Sequence, residues 1–211
     1  MFTGIISEVG KIKKIESVSG KRQITISCQT LQANMVIGES VACNGICLTV
    51  IKYTADSVTF EVMNQTNITS TASLWQVSSS IHLEKALRLD DRLNGHIVQG
   101  HVDTISLLLN RHYENSTLYL EFSLPCEYSH LVVEHGSICI DGVSLTIARL
   151  FDNRLQVALI EHTLKMTHFD SLKINDYVNL EFDIIGKYVQ RLIGCKKNDK
   201  MTEEWLRKNG F

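Results

Sequence analysis

Apolar and polar positions alternate strictly over Ser57-Val58-Thr59-Phe60-Glu61-Val62 and over Thr117-Leu118-Tyr119-Leu120-Glu121-Phe122. The same alternation marks Arg154-Leu155-Gln156-Val157 and Tyr177-Val178-Asn179-Leu180-Glu181-Phe182. A period of two buries one face of a strand and leaves the other in solvent, as in an antiparallel sheet. Runs of this kind predict about six strands in the first half, near residues 5–14, 23–28, 38–43, 47–53, 57–63 and 80–86. Six short strands in so little chain can hide their edges by closing into a small barrel. Short helical segments are expected at 29–35 and 127–134. Farther on, Ile184, Ile185, Tyr188, Val189, Leu192 and Ile193 form one stripe of a helix. Two closed barrels leave that helix no third partner in its own chain, so it reads as an oligomerisation helix; packing on its own barrel is the alternative. The charged tail, 196–211, is expected to be mobile, with a short helical turn at 202–206.

The pattern is written twice. Residues 38–50 read G-E-S-V-A-C-N-G-I-C-L-T-V, and 135–147 read H-G-S-I-C-I-D-G-V-S-L-T-I. At one offset, Ser40 matches Ser137, Asn44-Gly45 matches Asp141-Gly142, and Leu48-Thr49 matches Leu145-Thr146. Ile81-His82-Leu83-Glu84 likewise matches Val178-Asn179-Leu180-Glu181, and Gly4-Ile5-Ile6 matches Gly100-His101-Val102. A period near 100 residues suits a duplicated domain and is too long for a solenoid unit. The expected division is one barrel over 1–96, a second over 97–183, and a helix with its tail over 184–211. The repeated Asn-Gly and Asp-Gly sit between strand-like runs, where left-handed turn residues make tight hairpins.

Composition narrows the function classes. The 211 residues are 44% hydrophobic and 21% charged, with a formal net charge of −2. That balance gives no electrostatic footprint for nucleic acid or an anionic membrane. No apolar run approaches the roughly 20 residues that span a bilayer. The N-terminus lacks an export signal, so the six cysteines are expected as free thiols in a reducing cytoplasm. Cys43 and Cys47 are spaced C-x3-C, which is not the spacing of zinc or redox pairs, and no metal site is expected.

The candidate chemistry lies at repeat-equivalent positions. Cys47 follows the first tight turn; it is either a buried small hydrophobe or a thiol at the mouth of a barrel. Strand periodicity puts Thr49 on the same face, and Ser144 and Thr146 repeat the pair. In Gly95-His96-Ile97-Val98-Gln99-Gly100-His101-Val102-Asp103, two histidines five apart on extended chain point to opposite faces, which argues against one shared metal. His101 is an acid/base candidate or a surface histidine at the domain junction. Asp183 is an acid/base or a helix cap. Gln65-Thr66 and His162-Thr163 either hydrogen-bond a planar heterocycle or cap helices. Each residue alone favours the plainer reading, but recurrence at one offset favours a pair of related ligand sites.

Four motifs carry a resemblance over about residues 1 to 193: the N-terminal M-F-T-G-I, N-G-x-C-L-T-V, G-H-x-x-x-G-H-V-D and I-D-G-x-S-L-T. In this order they resemble the riboflavin synthase family, built of two lumazine-binding repeats. The resemblance implies two tandem six-stranded Greek-key barrels, an all-β fold with short helices and a C-terminal trimerising helix. It also implies dismutation of two 6,7-dimethyl-8-ribityllumazine molecules to riboflavin and 5-amino-6-ribitylaminouracil, without a cofactor. The active site is expected between the first barrel of one copy and the second of its neighbour in a homotrimer, with lumazine synthase a further associate. A non-catalytic lumazine- or flavin-binding protein of antenna type is the alternative.

Carried over by motif, the first pocket would use Gly4, Ile5, Ile6, Cys47, Leu48, Thr49, Glu61, Val62, Met63, Asn64, Gln65, Thr66, Gly100, His101 and Val102. The second would use Ser144, Leu145, Thr146, Ala158, Leu159, Ile160, Glu161, His162 and Thr163. Cys47, His101, Ser40, Ser144 and Asp183 are the expected catalytic set, and Phe2 and His135 are expected to contact substrate. Three positions depart from the family pattern: His135 where lysine is common, Gln65 where glutamate is common, and His162 in the second pocket. An imidazole at 135 can lose its charge near neutrality, where a lysine keeps it. His135→Lys should therefore change the pH–rate profile; an unchanged profile would exclude a role for that imidazole.

Overall fold

The alternating runs form twelve strands in a computed structural model that describes residues 1–18, 20–32, 34–195 and 207. Strands β1 (Glu8–Val18), β2 (Lys21–Ser27), β3 (Ser40–Cys43), β4 (Ile46–Tyr53), β5 (Ser57–Val62) and β6 (Ser80–Lys85) close one barrel in the order β1-β2-β5-β4-β3-β6. Strands β7 (Thr104–Glu114), β8 (Thr117–Ser123), β9 (Ser137–Ile140), β10 (Val143–Phe151), β11 (Arg154–Leu159) and β12 (Tyr177–Phe182) close the second in the equivalent order. All pairs are antiparallel, and register shifts in β1, β4, β7 and β10 let these strands bend from one pairing partner to the next. Inward residues such as Ile24, Phe60 and Leu83 fill the first barrel, and Leu120, Phe122 and Leu180 fill the second. Side chains occupy both interiors, so any ligand lies against an outer wall.

The helices differ from expectation in two places. Of the stretch expected as helix at 29–35, the described residues form bends and turns, because the Glu8 carboxylate takes the N–H groups of Gln29, Thr30 and Leu31 that a helix start would leave open. Their counterpart is a 3₁₀ turn at Cys126–Leu131. Short helices instead follow the fifth strand of each barrel, α1 (Asn64–Thr69) and α2 (Glu161–Met166). Helix α3 (Ile184–Cys195) occupies the expected stripe. Lys187 pairs with Asp103 and fastens it to the second barrel, while Tyr188, Leu192 and Ile193 stay 64–69% exposed. The turn expected at 202–206 lies outside the described residues, and none of the described helices is long and apolar enough to cross a membrane.

The two barrels meet at their repeated turns. Asn44 and Asp141 adopt positive φ (44° each), followed by Gly45 (75°) and Gly142 (83°), as a tight hairpin requires. The glycines lie back to back: a Cβ on Gly45 would stand 2.7 Å from the Gly142 nitrogen, and one on Gly142 2.6 Å from the Gly45 nitrogen. Around them His82 and Asn179, at equivalent positions, do equivalent work. His82 Nδ1 meets the Asp141 carbonyl oxygen at 2.9 Å and its Nε2 accepts from the His168 N–H at 2.9 Å. Asn179 Nδ2 donates to the Asn44 carbonyl at 2.8 Å, and its Oδ1 accepts from the Thr71 N–H at 2.8 Å. The amide and the imidazole thus present the same donor and acceptor to the opposite barrel.

This joint titrates. His82 is fully buried and stacked on His168 with ring centroids 3.9 Å apart. Burial, reinforced by His168, holds His82 well below the usual imidazole range, and burial lowers His168 to about 4. A group depressed in the folded state costs stability once the unfolded chain begins to take up protons, below about 6.5. Buried Asp141, Glu84 and Glu181 are raised and act in the opposite sense, so only a difference profile isolates His82. His82→Asn, which installs the residue of the other repeat, should be less stable than the original at pH 7.5. That deficit should shrink by about 1.4 kcal/mol per pH unit below 6.5. Denaturant unfolding at pH 7.5 and 5 measures it, and a constant deficit would contradict the assignment.

Candidate active site

Each barrel carries a polar patch on the outer face of its fourth strand. In β4, Ile46 and Leu48 point into the core, which turns Cys47 and Thr49 outward. In β10, Val143 and Leu145 point inward and Ser144 and Thr146 outward. Cys47 is therefore on the barrel wall, not at its mouth. Ser40 and Ser137 pair in register with Thr49 and Thr146 on the neighbouring strands.

Two short segments cross these patches, and they are exchanged. Residues 99–102 lie over the first barrel: the Cys47 N–H donates to the Gly100 carbonyl at 2.8 Å, and Val102 packs on the first core. Residues 3–6 lie over the second: the Ser144 N–H donates to the Gly4 carbonyl at 2.8 Å, and Ile6 joins the second core. Both glycines have φ of 78°, and a Cβ would come within 2.7 Å of Cys47 or 2.6 Å of Ser144, so no other residue fits there. Gly4, Ile5 and Ile6 thus leave the first pocket, where the sequence reading put them, and line the second. The cause is the strand-like pairing of Phe2 with Val98, which sends each segment to the opposite barrel.

Buried carboxylates hold the segments. Glu84 accepts from the Thr3 N–H at 2.7 Å, the Thr3 hydroxyl at 2.7 Å and the Gly4 N–H at 3.0 Å. Glu181 accepts from the N–H groups of Gln99, Gly100 and His101 at 2.6, 2.9 and 3.0 Å. Burial pushes both carboxyls up, and these hydrogen bonds pull them back toward ionisation. Neither glutamate was singled out in the sequence, although an acid retained at one offset beside inward-facing residues was the available signal.

Helix α2 supplies the far wall of the second cleft. Gly4, Ile5, Ile6, Val143, Ser144, His162, Thr163, Met166 and Thr167 enclose about 160 Å³. The repeat equivalents around the first barrel are Gly100, His101, Val102, Ile46, Cys47, Gln65, Thr66, Thr69 and Ser70. Met63, Asn64, Gln65, Ile160, Glu161 and His162 are exposed at the starts of α1 and α2, as is Ala158 on β11, while Glu61 and Thr66 are half-buried. Leu48, Val62, Leu145 and Leu159 are core residues and have only backbone to offer a ligand.

Four other expected residues complete the set. Phe2 is fully buried between the barrels, with its ring behind Gly100, so it supports a segment instead of lining a cleft. Asp183 Oδ1 accepts from the Ile185 N–H at 2.9 Å, which makes it the cap of α3; it also borders a groove beside that helix with Gly136 and Ser137. His135 is exposed at a φ of 64°, in the turn before β9 where the first repeat has Gly38. His101 is exposed, with its N–H held by Glu181.

The family of the chain is shown by its relatives. The lumazine binding domain model matches twice, over residues 3–86 and 99–183. Riboflavin synthase of Photobacterium phosphoreum is 34% identical, covering 100% of this chain and 99% of its own. The Bacillus subtilis enzyme of that name is 34% identical, with 100% of each chain covered. The structure of LumP complexed with riboflavin superposes with a TM-score of 0.80 at 23% identity, covering 86% of this chain and 99% of that one. LumP complexed with 6,7-dimethyl-8-(1'-D-ribityl) lumazine gives a TM-score of 0.77. At that identity these two structures speak for the fold alone. The paired repeats and the full-length relatives together place the chain in the riboflavin synthase family of lumazine-binding-domain proteins.

Proposed function

We propose that the protein converts two molecules of 6,7-dimethyl-8-ribityllumazine into riboflavin and 5-amino-6-ribitylaminouracil by transfer of a four-carbon unit. The observation that carries this reading is that both repeats keep the whole cleft apparatus: a buried glutamate, a positive-φ glycine and an outward polar pair. A single-chromophore antenna protein needs only one such cleft, and the full-length relatives at 34% identity carry the name riboflavin synthase.

The reaction requires removal of a proton from the 7-methyl group of one lumazine and activation of a ring carbon of the other. Holding two rings in reactive register replaces a bimolecular encounter with a near-intramolecular one. Acid/base groups add roughly 10²–10⁴-fold. His101, exposed beside Cys47, is the proton-transfer group of the first cleft, and Asp183 is assigned the same task from the rim of the second barrel. Ser40, Cys47, Ser144 and Thr146 orient ring atoms. The reacting pair forms where the first barrel of one copy meets the second barrel of another in a trimer gathered by α3. The exposed Tyr188, Leu192 and Ile193 support that assembly.

Incubation with 6,7-dimethyl-8-ribityllumazine alone should produce riboflavin fluorescence; persistent lumazine emission would favour the antenna reading. His101→Ala should lower turnover by roughly 10²-fold or more, and full turnover in both His101→Ala and Asp183→Ala would remove their assignment.

A further inference from the structure

His96 belongs to the G-H-x-x-x-G-H-V-D stretch but lines neither cleft. It is 8% exposed, and its N–H donates to the Thr3 carbonyl at 3.2 Å. Its ring stands behind Ser144, with Nδ1 2.7 Å from the Ser144 hydroxyl oxygen. The other nitrogen, Nε2, is buried and has no hydrogen-bond partner among the described residues. Among the described residues no ring nitrogen hydrogen-bonds the Cys47 side chain as His96 does Ser144.

That orphaned nitrogen fixes the direction of the hydrogen bond. Burial keeps the ring below the usual imidazole range, partly offset by the Asp183 charge, so one ring nitrogen carries hydrogen and the other does not. If Nδ1 accepted from Ser144, the hydrogen would sit on Nε2 as a buried N–H with no acceptor, among the costliest arrangements in a protein interior. If Nδ1 carries it, Nε2 is left with only an idle lone pair. A hydroxyl that accepts from Nδ1 has its own hydrogen free. The Ser144 side chain also lines the second cleft, so the cleft is where that hydrogen can point.

We infer that His96 is a positioning residue: its Nδ1–H donates to Ser144 Oγ and thereby presents the Ser144 hydroxyl as a directed donor to an acceptor nitrogen or carbonyl oxygen of the heterocycle in the second cleft. The inference rests on the proposed lumazine-binding role for its ligand, but not for its geometry. It gives the two clefts different polar character. Ser144 offers a strong donor of fixed direction, while the Cys47 thiol is a weak donor with no such support.

Two measurements test it. In protein labelled with ¹⁵N-histidine, long-range ¹H–¹⁵N correlation should assign His96 as protonated on Nδ1 and bare at Nε2. A hydrogen on Nε2 would overturn the inference whatever the variants do. In turnover of 6,7-dimethyl-8-ribityllumazine, Ser144→Ala and His96→Phe should each lose about tenfold, the worth of one hydrogen bond. The double variant should be no slower than Ser144→Ala alone. His96→Asn, whose amide nitrogen takes the place of Nδ1, should recover activity to within about twofold of the original by the same hydrogen-bond logic. Additive losses of about a hundredfold in the double variant, or a folded His96→Asn as slow as His96→Phe, would contradict the inference. A protein with hydrogen on Nδ1 that fails to turn over lumazine would instead overturn the functional reading and leave the positioning intact.

Discussion

A carboxylate buried away from water must be met by donors, and the donors it gathers are then held in place. Glu84 and Glu181 each gather three, all from a segment that crosses to the opposite barrel. The rest of both clefts follows from those contacts. With the segment fixed, its glycine must adopt a left-handed conformation and touch the outward residue of the facing strand. With the glycine fixed, the next two residues form the cleft wall. The glutamates stand on the last strand of each barrel, each two residues beyond the inter-barrel joint residue, His82 or Asn179. Cleft geometry and barrel docking are therefore set by the same strands.

The exchange of segments also changes what duplication accomplishes. Each cleft takes its outward polar pair from one repeat and its crossing segment from the other, so neither repeat would form a complete cleft alone. The same arrangement lets the two clefts diverge. The Cys47 side receives His101, and the Ser144 side receives Ile5 from the segment and His96 from behind. The proposed reaction treats two identical molecules differently and calls for such inequality, which a few substitutions on a common frame supply.

Much of this was legible in the chain. Period-two alternation gave the strands, because each barrel strand buries one face. The stripe from Ile184 to Ile193 gave α3, and the motifs gave the family. The crossing of Gly4–Ile6 was not legible: the repeat pairs Gly4 with Gly100 but cannot say which barrel each segment covers. Helices α1 and α2 have six residues each, too few to show a helical period. At 29–35 a side chain from β1 captures the backbone donors, a long-range contact that no local pattern encodes. Asp183 shows the limit in another way. Its two readings, cap and acid/base, were both open in the sequence; the structure shows the cap, and the acid/base role belongs to the proposed function.

The central claim is that each buried glutamate builds the cleft of the opposite barrel. Calorimetric titration with 6,7-dimethyl-8-ribityllumazine under conditions that block turnover, on the original protein and on Glu181→Gln, tests it most directly. An amide of the same size offers one oxygen and sets an N–H against the remaining donors. The account predicts two sites per chain in the original and loss of only the Cys47 site in the variant, with the Ser144 site retained. Loss of the Ser144 site, or two unchanged sites, would contradict it.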